Sequence, residues 1–238
     1  YNFIMTNFYK KNGWQNIKKC IPLKLIKVFR KDLDNIAKYN KYKNFNSLLL
    51  NLSKKNKNKL KDINILSNRL TSFLEICIYL KRFYKKYYQH KNVYLVDAQL
   101  LPGLPKDNRL TYDYHQESNY KKNFKNILNI HFPIYYKSTK MNGTMSSLSG
   151  THLLGNLNYK KKIKKKGFTN LLPVDIEKIK SEYKENYHTL DCGDAVFFDQ
   201  NLIHKSNYNY SSKCRICCVV RITGDHSGNF IDQKPTQL

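Results

Sequence analysis

The segment Tyr114-His115-Gln116-Glu117 sets an imidazole and a carboxylate two residues apart. In an extended strand, residues i and i+2 project from the same face. His115 and Glu117 can therefore address one point in space. A third donor must come from elsewhere, and His204, in Leu202-Ile203-His204-Lys205-Ser206, is the candidate. Two imidazoles and one carboxylate on one face of a metal leave three adjacent positions open, which is the ligand set of non-haem Fe(II) oxygenases. Two open positions suit the keto acid of 2-oxoglutarate and the third suits O2. The far carboxylate of that co-substrate needs a cation. A buried guanidinium serves best, because its planar fork matches a carboxylate and it stays charged.

Arginine is scarce in this chain, six residues against 37 lysines, so its positions carry information. Arg215 follows His204 by 11 residues and opens a strand-like run. Ser206, two residues after His204, can add a hydroxyl to the same carboxylate. Singly, each feature has a bland reading: H-x-E arises by chance, a lone histidine belongs to a core or a surface, and a lone arginine pairs with an acid. It is their joint order and spacing that point to a metal site at His115, Glu117 and His204.

The elements that must position these residues fall into two textures. Residues 1–90 read as mainly helical. Leu70 to Tyr88 is the strongest helix, with Leu70, Phe73, Leu74, Cys77, Ile78, Leu80 and Phe83 at i, i+3, i+4 spacing and Thr71 or Ser67 as possible caps. From residue 91 onward short strand-like runs alternate with turns. The runs are Asn92 to Leu101, Tyr112 to Glu117, Ile127 to Tyr135, Ala195 to Asp199 and Arg215 to Ile222. Asn142-Gly143, Ser149-Gly150 and Gly193-Asp194 supply turns. Many short strands with polar turns favour a sandwich or barrel. Lys160 to Lys166 reads as a solvated basic loop. The expected organisation is one domain over 1–238, with a helical region at 1–90 and a β core at 91–238.

On these motifs the chain resembles the phytanoyl-CoA dioxygenase family of 2-oxoglutarate oxygenases over about 92–223. His115-Gln116-Glu117 stands where the family has H-Q-D or H-Q-E. Met141-Asn142-Gly143-Thr144 is similar to its N-G-x-L turn, and Leu148-Ser149-Gly150-Thr151-His152 to its P-G-S-H element. The last block is the most specific. Gly193-Asp194, His204-x-Ser206, Asn209-x-Ser211 and Arg215 reproduce "G-D … H-x-S-x-x-N-x-S-x-x-x-R" at every position. The resemblance implies a double-stranded β-helix, the cupin-like jelly roll, with helices outside. It implies Fe(II), 2-oxoglutarate and O2, with succinate, CO2 and a hydroxylated product. Carried over by position, His115, Glu117 and His204 hold iron, while Arg215 and Ser206 bind the 2-oxoglutarate tail. Gln99 is a further candidate contact to that co-substrate. Glu117 replaces the commoner Asp, so an extra methylene must be accommodated. A carboxylate at this position argues against halogenation. His152 is expected to be structural.

Composition bounds the rest. The formal charge is +26 and hydrophobic residues make up 41%, which excludes a disordered chain. Charge alone suggests an anionic partner such as nucleic acid. However, the lysine-for-arginine bias, together with abundant Asn, Tyr and Ile, matches AT-rich codon usage. No run approaches the ~20 apolar residues of a membrane span. Ile21 to Phe29 is interrupted by Lys24 and Lys27 without a cleavage site, so no signal peptide is expected. The six cysteines lack a second ligand pair at zinc spacing and read as small apolar residues of a cytoplasmic protein. The expected activity is hydroxylation of a small molecule, anionic or of sugar or lipid type. That substrate would sit at a mouth lined by the N-terminal helices and the loop Gly155 to Asn170. A basic oxygenase acting on nucleic acid or protein, and an inactive jelly-roll binding module, stand as alternatives.

Overall fold

A computed structural model describes residues 6–90, 92–122, 124–164, 168–224 and 236–237. The chain opens with α1 (Asn7–Asn12), β1 (Trp14–Ile17), α2 (Leu23–Tyr39), α3 (Phe45–Lys55), α4 (Lys57–Asn68) and α5 (Thr71–Tyr88). There follow β2 (Tyr94–Gly103), α6 (Glu117–Tyr120), β3 (Leu128–Pro133), β4 (Met145–Leu148), β5 (Tyr159–Lys164) and β6 (Phe168–Pro173). The last elements are α7 (Ile176–Glu182), β7 (Glu185–Tyr187), β8 (Ala195–Asp199), β9 (His204–Ser206), β10 (Arg215–Thr223) and β11 (Thr236–Gln237).

Two antiparallel sheets make the jelly roll. The larger has the order β1-β8-β3-β10-β2-β11, and the smaller β7-β4-β9. The period-2 pattern of β10 sorts its side chains. Ile216, Cys218, Val220 and Ile222 join the main core with Phe29, Leu33, Phe73, Ile76 and Leu80 of the helices. Arg215, Val219 and Arg221 face the other way, toward the smaller sheet. β10 is buried on both faces because helices cover one side and the second sheet covers the other. Cys214 and Cys218 belong to the helix-side core while Cys217 sits on the opposite face, as strand alternation requires. All six cysteines are free.

The helical region is not purely helical. Trp14–Ile17 forms an edge strand on β8, with Trp14 opposite Phe198 and Ile17 opposite Ala195. Trp14 packs edge-on to His188 and donates its indole N–H to Ser149, so tertiary contacts fix this short strand. The long helix begins at Thr71 with Leu70 at the N-cap and no side-chain cap, so neither Thr71 nor Ser67 caps it; Ser67 instead donates back to Ile63 O within α4. Of the basic loop expected over Lys160 to Lys166, Lys160 to Lys164 is strand, and Lys165 and Lys166 lie outside the described residues. β5 pairs in register with β6 from Tyr159↔Pro173 to Lys164↔Phe168, forming a separate two-stranded ribbon. Among the described residues, no helix is long and apolar enough to cross a membrane.

Candidate active site

The H-x-E segment is extended only in part. His115 makes an isolated antiparallel bridge with His204, exchanging backbone hydrogen bonds at 3.0 and 3.1 Å. Glu117 is already the first residue of the single-turn helix α6. The strand expected over Tyr112 to Glu117 does not form; it is reduced to the single bridge at His115. Gln116 explains how the register survives. Its side chain is fully buried on the opposite side and makes three hydrogen bonds: Nε2 donates to Gly155 O at 2.9 Å and to Asn201 O at 2.6 Å, and Leu157 N donates to Oε1 at 2.9 Å. Pinning Gln116 outward turns His115 and Glu117 inward.

Inside the roll, one nitrogen each from His115 and His204 and one oxygen from Glu117 lie within 4.8 Å of one another. Glu117 Oε1 is 3.8 Å from His115 Nε2 and 3.6 Å from His204 Nε2. The second ring nitrogens are committed to backbone carbonyls: His115 Nδ1 to Asp113 O at 2.6 Å, and His204 Nδ1 to Leu202 O at 2.9 Å. A carbonyl can only accept, so each Nδ1 carries a proton, and a neutral ring then presents its Nε2 lone pair inward. All three side chains are buried. Burial pushes His204 below its ordinary pKa, the nearby His115 ring adds to this, and Glu117 partly opposes it. Burial alone would raise Glu117. The Arg221 guanidinium and the two imidazoles outweigh that effect and hold the carboxyl well below the usual carboxylate range. Neutral imidazoles beside an ionised carboxylate are the protonation states a divalent metal requires. No other group of three potential ligands of this kind occurs among the described residues.

Around this cluster is a cavity of about 250 Å³. Register places Gln99, Val219, His131 and Val196 in one row across β2, β10, β3 and β8, with Asp97, Arg221, Asn129 and Phe198 in the next. Gln99, His131, Val219, Arg221, Arg215 and Ser206 all line the cavity. Arg215 is buried. Its Nη1 donates to Gly143 O, and its Nε has no partner among the described residues. Gly103 lies against its guanidinium; a Cβ there would stand 3.2 Å from Cζ and Nη2. A buried guanidinium with an unspent donor facing a cavity suits an incoming carboxylate. His131 Nε2 is also buried without a partner. Burial and the Arg215 charge hold His131 well below its ordinary pKa.

The turn at Asn142-Gly143 brings Gly143 O to Arg215 through a positive φ of 80°. His152 stands outside the cavity with Nε2 2.9 Å from Lys10 O. None of the described residues 6–90 lines the cavity. The helices pack on the far face of the larger sheet, so they support the wall from behind and do not form a mouth. The ribbon of β5 and β6 does reach the site, because Leu171 N donates to the hydroxyl of the lining residue Tyr120 at 2.9 Å.

The phytanoyl-CoA dioxygenase profile matches residues 98–217, just over half of the chain. The chain belongs to the phytanoyl-CoA dioxygenase family. It is a non-haem iron oxygenase that uses 2-oxoglutarate. Solved structures agree at the level of fold. The nogalamycin-biosynthesis epimerase SnoN, in complex with Fe3+, alpha-ketoglutarate and nogalamycin RO, superposes with a TM-score of 0.62 at 10% identity, covering 97% of this chain and 93% of that one. EctD from S. alaskensis, with 2-oxoglutarate and 5-hydroxyectoine, gives 0.61 at 14% identity, covering 91% and 73%. AviO1 from Streptomyces viridochromogenes gives 0.53 at 15% identity, covering 93% of each chain. A search of curated protein sequences finds no match.

Sequence reasoning passed over three residues of this family member's site. His131 lines the cavity from β3, and Gln116 braces the ligand pair. Arg221 makes a two-point contact with Glu117. Arg221 was within reach of the period-2 rule, since 215, 217, 219 and 221 share one face of a strand.

Proposed function

We propose that the chain hydroxylates a small anionic molecule, with His115, Glu117 and His204 holding Fe(II) and Arg215 holding 2-oxoglutarate. The observation that carries this reading is the pair of inward Nε2 lone pairs 3.6 to 3.8 Å from one Glu117 oxygen, beside a buried arginine with a spare donor. The donor set fits a ferrous ion, since two neutral imidazoles and one carboxylate from one side leave co-substrate positions free. When bound, iron with 2-oxoglutarate and O2 supplies the oxidation: the keto acid loses CO2 to give succinate, and one oxygen atom enters a substrate C–H bond. The protein's own residues do the positioning. Arg215 Nε and the Ser206 hydroxyl bind the far carboxylate of 2-oxoglutarate, and Gln99 offers an amide from the neighbouring strand. Val219, Phe198 and Met145 give the cavity dry walls, which limits water access to the reacting centre.

Charge supports an anionic substrate. Of the bases lining the cavity, Lys121 and Arg221 are balanced by Asp97 and Glu117, Lys205 lies 2.9 Å from Glu185, and Arg215 serves the co-substrate, so the support comes from the lysines of the ribbon. Lys160, Lys161 and Lys162 are exposed on the ribbon that holds Tyr120. The cavity is small for a co-substrate plus a large substrate, so the substrate enters by its reacting portion only. Six free cysteines suit a reducing compartment such as the cytoplasm.

The test is succinate release from 2-oxoglutarate with Fe(II) and O2, across a panel of phosphorylated, sulfonated and carboxylated metabolites and their neutral parents. The expected result is stimulation by one anionic class and loss of turnover in His204→Ala. Turnover equal in His204→Ala and the unaltered chain would refute the metal assignment. Stimulation by neutral parents alone would refute the substrate class.

A further inference from the structure

Glu117 is held by more than its two imidazole neighbours. Arg221 Nε donates to Glu117 Oε2 at 2.9 Å and Nη2 donates to Oε1 at 2.6 Å. Its third prong, Nη1, donates to Asp97 Oδ1 at 2.7 Å, and Lys121 Nζ meets the other Asp97 oxygen at 2.5 Å. Two acids and two bases thus alternate across the cavity wall, and their formal charges cancel. Breaking one partner out of such a buried set is costly.

The arrangement divides the Glu117 carboxylate. Oε1 is the oxygen that faces both imidazoles, and Oε2 is turned away onto Arg221 Nε. Each carboxylate oxygen has two lone pairs, so one hydrogen bond at Oε1 leaves a lone pair for a cation. A glutamate has one more rotatable bond than an aspartate. Free to rotate, its carboxylate would sample several wells, most of them turning Oε1 away from the ring nitrogens. Fixing it takes two donors in set directions from one rigid group. A guanidinium supplies them and an ammonium does not. The chain has 37 lysines and six arginines, yet it has arginine here.

We propose that Arg221 is a positioning residue that locks Glu117 with a single oxygen toward the two imidazoles, offsetting the extra methylene that glutamate brings to this position. The inference rests on the reading of Glu117 as a metal ligand. It assigns Arg221 to the metal site, and Arg215 to the co-substrate, although both lie on the same face of β10.

The test is titration of the full chain with Mn(II), followed by calorimetry and by the electron spin resonance signal of free Mn(II). Arg221→Gln and Arg221→Lys are compared in the unaltered chain and in a Glu117→Asp background. The expected result is at least tenfold weaker Mn(II) binding for both Arg221 variants in the unaltered background. In the Glu117→Asp background, where the shorter acid needs no such brace, the loss should shrink to less than threefold. Affinity for 2-oxoglutarate at saturating Mn(II) should change less than threefold. Thermal melts report folding; if the amide variant does not fold, Arg221→Lys, which keeps the buried charge, carries the same comparison. Unchanged Mn(II) affinity in the Arg221 variants, or an equal loss in both backgrounds, would overturn the inference. An unaltered chain that takes up no Mn(II) would sink the metal-site reading as well. Binding that vanishes in His204→Ala but survives in Arg221→Gln would sink this inference alone.

Discussion

Replacing Arg215 by alanine isolates the proposed co-substrate contact. The guanidinium is buried, is anchored by one prong on Gly143 O, leaves Nε without a partner among the described residues, and belongs to a residue that lines the cavity. A carboxylate docked there makes charge-assisted hydrogen bonds. Removing one partner of such a buried pair costs about 2–5 kcal/mol, mostly because the other charge is left unpaired. At about 1.4 kcal/mol per tenfold, the dissociation constant for 2-oxoglutarate should rise roughly 30- to 4,000-fold. Arg215→Lys keeps the charge but cannot serve Gly143 O and the ligand together, so it should fall between. The assay is calorimetric titration of 2-oxoglutarate into Mn(II)-loaded protein without oxygen. Mn(II) affinity serves as the control and should move less than threefold, since Arg215 is not among the proposed ligands. A 2-oxoglutarate affinity within twofold of the unaltered chain would refute the assignment.

Three further outcomes follow from the same geometry. Gly103→Ala puts a methyl 3.2 Å from the Arg215 guanidinium; overpacking of this kind costs about 1–3 kcal/mol, seen as a raised 2-oxoglutarate requirement in titration or as a lowered melting temperature. Gln116→Ala strips partners from Leu157 N, Gly155 O and Asn201 O, so chemical denaturation should show a loss of about 1–3 kcal/mol and Mn(II) binding should weaken. Burial holds His131 well below its ordinary pKa and His188 at about 3. Above pH 7 both are neutral whether folded or unfolded, so they contribute no slope. Below about 6.5 the unfolded chain takes up protons that the folded chain refuses. Stability should then fall by about 1.4 kcal/mol per pH unit for each group, down to about pH 3 for His188. Urea melts at pH 7.5, 6 and 5 measure this, and equal stability at all three would contradict it.

Much of the architecture was legible because it rests on local rules. The i, i+3, i+4 pattern of 70–88 and the alternation in 215–222 are periodicities, and the structure has a helix at Thr71–Tyr88 and a strand at Arg215–Thr223. What stayed hidden depends on contacts distant in sequence. Trp14–Ile17 is too short to announce a strand and becomes one only against β8. The lysine ribbon carries no apolar alternation, so its pairing could not be read from charge. In the site, H-x-E gave the right pair of inward residues for a partly wrong reason. A full strand would place both on one face, but the chain instead turns into α6 at Glu117, and buried Gln116 maintains the orientation. The order of His204, Ser206 and Arg215 was readable from the family motif; β9 carries the first two, and Arg215 opens β10. The Arg221 grip on Glu117 joins residues 104 apart in sequence; alternation puts Arg221 on the cavity face of β10 but cannot name its partner.

In the proposed metal site, three side chains from two stretches hold one ion. Crystals grown without oxygen in Mn(II) and 2-oxoglutarate, with anomalous scattering recorded at the manganese edge, address it most directly. The account predicts a single strong peak bonded to Nε2 of His115, Nε2 of His204 and one oxygen of Glu117. A peak elsewhere, or a site in which either imidazole stays unbound to manganese, would contradict it.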